Sequence, residues 1–144
     1  MTEDPLLASH LRALATLLPR LEAPEAEADF GVWVRSEERE PGVWSMPYVE
    51  YGPPEHAFHE ACGAWMRPGF DWPAWAATAD AIALRDDPER LARATLDDLA
   101  HLITALTRAD RFNEGLLLDS FRSGLIARIA RRAASLAAEL EASG

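Results

Sequence analysis

Leucine recurs at positions 7, 11, 14, 18 and 21, at spacings of 4, 3, 4 and 3, which lays five apolar side chains along one face of a helix. Asp4-Pro5 reads as the start of that helix, an N-cap followed by a first-turn proline. Pro19 predicts an end or a kink near Leu18, so an N-terminal helix is expected over 4–21. Its stripe suits core packing; a short pairing helix in a homodimer is the sharper alternative. The periodicity then lapses into an acidic, proline-containing stretch, residues 22–29, which reads as a solvated linker.

The pattern changes period at Phe30. Phe30–Arg35 and Val43–Tyr51 are β-branched and aromatic and predict the two strands of one small hairpin over about residues 30–51. The charged segment between them ends in Pro41-Gly42, a turn signal. Pro47 confines the second strand to an edge or a bulge. A lone hairpin is marginal in water, so this one is expected to lean on helices, with Trp33 and Trp44 as anchors. An exposed aromatic patch here would point instead to a binding surface.

Helical spacing returns after Gly52-Pro53-Pro54. A short helix is expected over 55–66. Asp71 is placed to cap another that runs to about Arg85, and Asp87-Pro88 starts a short turn. Thr95-Leu96-Asp97-Asp98 is close to a capping box, with Asp in place of the usual Glu. Leu99, Leu102, Ile103, Leu106 and Ala109 continue that apolar face. Beyond Arg111-Phe112-Asn113 one long final helix is expected to about Glu141, with Leu117, Phe121, Leu125, Ile129 and Leu136 on one side. Gly115 and Gly124 inside it would cost about 1 kcal/mol each relative to Ala, Gly124 in exchange for close helix–helix approach. The first and last helices both carry long stripes suited to packing together. The sum is a mainly α single domain over 1–144, orthogonal or bundle-like, with five to six helices and one small hairpin.

Composition narrows the chemistry. The chain has 144 residues, 49% of them apolar, enough for a real core in one domain. All 14 basic residues are Arg. Without Lys there is no Schiff-base chemistry and no P-loop. The Arg, Ala, Gly and Pro bias is the usage of a GC-rich genome. Net charge is −10, the wrong balance for a free-standing nucleic-acid binder. That total hides a locally basic region, because six of the 14 arginines fall between 108 and 132. One cysteine, Cys62, allows no internal disulfide and suits a reducing cytoplasm. The acidic Thr2-Glu3-Asp4 is unlike a signal peptide, and no apolar run is long enough to span a membrane.

Four segments carry a resemblance: Met46-Pro47-Tyr48-Val49-Glu50-Tyr51; Phe70-Asp71-Trp72-Pro73-Ala74-Trp75; Arg108-Ala109-Asp110-Arg111-Phe112-Asn113-Glu114-Gly115; and Phe121-Arg122-Ser123-Gly124-Leu125-Ile126. On the Phe-x-Trp-x-x-Trp and Arg-x-Asp-Arg-Phe-x-x-Gly elements, in that order, about residues 43–132 resemble a bacterial family of unknown function. The resemblance implies a helical domain and no reaction. Similar proteins often carry Cys at the position of Asn113.

The densest candidate chemistry is Arg108, Asp110, Arg111 and Glu114, between the last two expected helices. Two arginines three apart can bond the free carbonyls of a helix C-terminus and complement its dipole. They can equally bind a carboxylate or phosphate, with a tryptophan stacking on a planar ligand. The candidate ligand-binding set is therefore Asp71, Trp72, Trp75, Arg108, Asp110, Arg111 and Glu114. A second cluster, Glu55-His56-Ala57-Phe58-His59-Glu60-Ala61-Cys62, offers metal-ligand types on a helix, with His101 as a further donor. Its spacing is not His-Glu-x-x-His, and a solvated face is expected. Cys62 reads as a small buried thiol, although His59 stands three residues back. Arg128, Arg131 and Arg132 share a helix face expected to pair with Glu139, Glu141 or the acidic N-terminus.

No catalytic residue, metal or cofactor is called for, and the residues leave open whether the protein is an enzyme. The leading expectation is a cytoplasmic, non-enzymatic domain that binds a protein or small molecule, without nucleic acid or membrane, with a homodimer as one form. The alternative is an enzyme or ligand sensor that holds a small anionic or nucleotide-like ligand on the Arg/Asp/Glu cluster and its tryptophans. A binding module should show an exposed apolar patch; an enzyme should show a concave pocket with convergent polar groups.

Overall fold

The computed structural model describes residues 5–23 and 29–143; the expected Asp4 cap and most of the acidic linker lie outside them. The architecture is mainly α, with antiparallel β pairing confined to one excursion between the second and third helices.

The leucine stripe forms α1 (Pro5–Ala15) and α2 (Leu18–Leu21). The helix ends three residues earlier than the stripe suggests. Pro19 then sits in the first turn of α2, where its missing N–H has no intrahelical partner to lose. Leu11, Leu14, Leu17 and Leu21 are buried.

The hairpin is longer and more broken than a single ladder. β1 (Gly31–Val34) pairs with β4 (Tyr48–Tyr51) in the register Gly31↔Tyr51, Val32↔Glu50, Trp33↔Val49, Val34↔Tyr48. At its tip β2 (Glu38–Glu40) pairs with β3 (Val43–Trp44), with an irregularity between Glu38 and Glu40. Pro47 falls in the gap between the two ladders, where no strand N–H is required. The gap is tied by Ser45 N donating to Glu37 O at 2.8 Å, Glu37 N donating to Ser45 Oγ at 2.9 Å, and Ser36 Oγ bonding to Ser45 O.

The remaining chain is helical: α3 (Pro53–Cys62), a 3-10 turn (Gly63–Trp65), α4 (Trp72–Ala76), α5 (Ala79–Asp86), α6 (Pro88–Leu91), α7 (Leu96–Ala109), α8 (Leu116–Arg122) and α9 (Leu125–Ser143). Two expected helices are each split in two. Asp71 does cap α4, accepting from Ala74 N at 3.2 Å, but that helix stops at Ala76. Thr78 then leaves helical geometry and caps α5, its Oγ1 accepting from Ala81 N at 3.2 Å. The long final helix breaks at Ser123-Gly124, where Gly124 has φ +88°. A left-handed residue cannot continue an α-helix. A Cβ on Gly124 would meet only the tip of the Arg128 side chain, at 3.4 Å, so this glycine ends a helix and does not admit a neighbouring helix.

The capping box at Thr95 is complete. Thr95 Oγ1 accepts from Asp98 N at 3.1 Å and Asp98 Oδ2 accepts from Thr95 N at 3.0 Å. Asp98 also accepts from Arg90, which bridges it to Asp80. From this fixed start α7 runs through the core and buries Leu99, Leu102, Ile103 and Leu106. α1 packs along α9, whose Ile126, Ile129, Ala133 and Ala137 are buried, and Arg12 pairs with Glu141 across them. Phe121 of α8 closes the core against Phe30 (5.1 Å between ring centroids) and edge-on against Phe58 (5.5 Å).

Candidate functional site

Asp110, the C-cap residue of α7, is a structural joint. Its Oδ1 accepts from Tyr51 Oη at 3.0 Å and from the Leu117 backbone N–H at 3.0 Å. One carboxylate thus ties the base of the hairpin, the end of α7 and the start of α8. Burial, then the Asp110 charge and its hydrogen bond, push the Tyr51 phenol well above the usual tyrosine range. Glu114 is exposed on the intervening loop and adds to that rise.

The other candidates divide into two separate hollows. Trp72 and Trp75 line one with Ala81, Arg85, Leu106 and Leu116. Trp75 packs against Phe70 and His101, and the Phe70 and His101 rings stack at 4.3 Å. Trp72 stacks on Phe112 at 6.3 Å. Asp71 serves α4 as its cap. Arg108 and Arg111 line a different hollow, about 150 Å³, between α3 and the end of α7, with His59, Cys62, Gly63, Met66 and Thr107. No residue lines both.

In the α3/α7 hollow the two guanidiniums stand apart from the protein's own acceptors. Neither Arg108 nor Arg111 makes a side-chain hydrogen bond or an ion pair among the described residues, and Arg108 Nε is buried without a partner. The free carbonyls at the end of α7 are therefore not bonded by these side chains. The nearby acid on α3, Glu55, is buried and faces histidines instead, 3.8 Å from His59 Nδ1 and 3.9 Å from His56 Nδ1. Its pKa is raised, because burial outweighs the pull of those two imidazoles. Cys62 is buried, and burial followed by the Glu55 charge pushes its thiol above the usual range, so it is a poor nucleophile. Among the described residues no three His, Cys, Asp or Glu side chains gather as a metal site, and His101 lies in the aromatic stack.

The Arg face of α9 is largely paired, as its spacing suggested. Arg131 bonds Glu22 at 2.6 Å, and Arg132 bonds the Ala94 carbonyl at 2.9 Å and lies 3.8 Å from Glu139. Glu141 pairs with Arg12 instead.

The surface that sequence reasoning misjudged is the hairpin. The register turns Gly31, Trp33, Val49 and Tyr51 to one face and Val32, Val34, Tyr48 and Glu50 to the other. The first face meets the body: Gly31 and Val49 are buried, Tyr51 is half-buried, and Trp33 packs on Gly115 while staying 46% exposed. Trp44, expected to anchor the hairpin, is 60% exposed; Met46 is 81% exposed, and Val32, Val43 and Tyr48 are exposed with them. Val32-Trp33-Val34 is apolar without alternation, so period-two reading could not choose the inward face.

The fold and these hollows define a mainly α domain with an apolar hairpin projecting from it. The chain belongs to the Family of unknown function (DUF6508), matched over residues 6–139, a span that takes in α1 and the hairpin as well as the motif-bearing region. No curated protein and no solved structure matches it. No helix among the described residues is long and apolar enough to cross a membrane.

Proposed function

We propose that this protein is a non-enzymatic, cytoplasmic protein-interaction domain that docks through the solvent face of its hairpin. The observation that carries the reading is the exposure of Val32, Val43, Trp44, Met46 and Tyr48 on one projecting element. Large apolar groups gathered on a soluble surface mark contact sites more often than isolated ones do. Cross-strand register adds charge to the same element. Val32 stands opposite Glu50, Trp44 opposite Glu38 and Val43 opposite Glu40. The complementary partner is a protein surface with apolar groups rimmed by Lys or Arg, which fits the net charge of −10. The lone, buried Cys62 is in keeping with a reducing compartment.

The test compares wild type with a Trp44→Ser/Met46→Ser variant as bait in lysate of the source cells. The expected result is an unchanged melting temperature and a specific partner that wild type retains, the variant loses and rising salt weakens. Equal capture of that partner by the variant overturns the reading. So does sedimentation of wild type as a dimer that the variant dissolves, which would make the occupant a second copy.

A further inference from the structure

We infer that the hollow between α3 and the end of α7 is a binding site for a small oxyanion, a phosphate or short-chain carboxylate, gripped by Arg108 and Arg111 with His59 at its rim. This site is independent of the hairpin surface.

Three observations converge on it. The first is the state of the arginines. A guanidinium brings five N–H donors, and those that face a cavity without a protein acceptor are open to a ligand. Arg85, Arg90, Arg131 and Arg132 all have carboxylate partners, and Arg122 and Arg128 bond backbone carbonyls, although Arg128 Nε is, like Arg108 Nε, buried without a partner. Arg108 and Arg111 have neither, as is also true of Arg20, Arg35, Arg39, Arg67 and Arg93, but these two line one cavity together; Arg111 is exposed, and Arg108 is half-buried with its Nε cut off from solvent. The second is the fate of the local acids. Asp110 is committed to Tyr51 and Leu117, and Glu55 to the two histidines, so neither neutralises the arginine pair. The third is size and lining. About 150 Å³ is the share of roughly five waters in the liquid, which fits an oxyanion with a short apolar tail. Met66, Cys62 and Gly63 supply an apolar wall for such a tail, and the Thr107 hydroxyl beside them is spent on Ile103 O at 2.9 Å and Thr104 O at 3.1 Å. The donors left for a ligand are the guanidiniums and the exposed imidazole of His59. Two guanidiniums are the geometry that suits bidentate capture of carboxylate or phosphate.

The experiment is calorimetric titration of the full chain with inorganic phosphate, methyl phosphate, propionate and a nucleoside monophosphate, on wild type, Arg108→Met, Arg111→Gln and Arg131→Gln. Saturable binding of phosphate or propionate at about 1 mM or tighter is expected for wild type. A loss of at least about tenfold is expected for the Arg108 and Arg111 variants and no change for Arg131→Gln. The phosphate and propionate arms decide which oxyanion the site prefers. Arg108→Met carries a second readout. If the guanidinium is held ready for a ligand, replacing it with an apolar chain of similar length raises the melting temperature of the free protein while abolishing binding. A lowered melting temperature in Arg108→Met, no saturable binding of any of the four compounds, or equal loss in Arg131→Gln each overturns the proposal.

Discussion

The indole of Trp33 lies where a side chain on Gly115 would begin: a Cβ built on Gly115 would meet Trp33 Cζ2 at 2.4 Å. Gly115 also holds φ +93° as the residue before α8. Hairpin and helical body thus touch at a point where only glycine meets both the backbone and the packing requirement. Gly115→Ala is expected to lose about 2–4 kcal/mol in urea unfolding, combining left-handed strain with overpacking. Gly124→Ala, with φ +88° and only the flexible tip of Arg128 at contact distance, 3.4 Å, should lose only the strain, about 1–2 kcal/mol. Trp33→Ala should narrow the gap between the two glycine variants; an undiminished gap would show that the indole does not set it.

Asp110 joins three elements through one oxygen, so its loss should exceed the loss of any single bond. Tyr51→Phe is expected to lose about 2 kcal/mol, a hydrogen bond to a charged acceptor, and Asp110→Ala more. Because the folded Tyr51 pKa is raised, its contribution is full below the unfolded value of about 10 and fades as pH climbs beyond it. Wild type should therefore lose stability faster than Tyr51→Phe on alkaline titration past that point. Parallel stability curves for the two proteins would refute the assignment.

Glu55 gives a second signed prediction. Its raised pKa means that the folded chain holds this proton more tightly than the unfolded chain does. The associated stability is full below about 4.3, the unfolded value, and is lost as pH rises through the folded value. Glu55→Gln, which keeps the shape of the protonated form, should gain on wild type as pH is raised from about 4 to neutrality. Chemical unfolding at both pH values measures this. A variant that falls behind wild type over the same interval would mean that His56 and His59 outweigh burial.

At the other end of α7, Thr95→Ala should lose about 1 kcal/mol, the usual worth of a side-chain N-cap. Asp98→Ala should lose more, because that carboxylate serves both the box and Arg90. Arg90→Ala should then cost less in the Asp98→Ala background than in wild type, having only the Asp80 pair left to lose; full additivity in the double mutant would argue that the two groups do not act together.

Legibility in the sequence followed the kind of force involved. α7 was readable because its stripe, its box and its length agree in one short window. α4 and α5 were not separated, because Thr78 resembles any threonine in a helical run until its side chain is seen bonding Ala81 N. The break at Gly124 was read as a tolerated helix glycine, since composition does not reveal a positive φ. The candidate residues were drawn together by closeness in the chain and by aromatic character. The structure sorts them by which side of α7 they occupy: Arg108 and Arg111 face α3, while Trp72 and Trp75 sit on α4 across the helix. His59 as a neighbour of the arginines is a tertiary juxtaposition with no trace in local spacing.

The two ends of the β excursion are held very differently. β1 and β4 are fastened to the core by Val49, by Tyr51 through Asp110, and by Trp33 against Gly115. The β2/β3 tip is secured chiefly by its own short ladder and the Ser36, Glu37 and Ser45 bonds, all exposed. Amide hydrogens at the tip should exchange through local opening, at a small fraction of the free energy that frees those of α7. Trp44 and Met46 therefore ride on the part of the molecule that is cheapest to reshape, and a partner can mould the tip to its own contour without disturbing the helices beneath it.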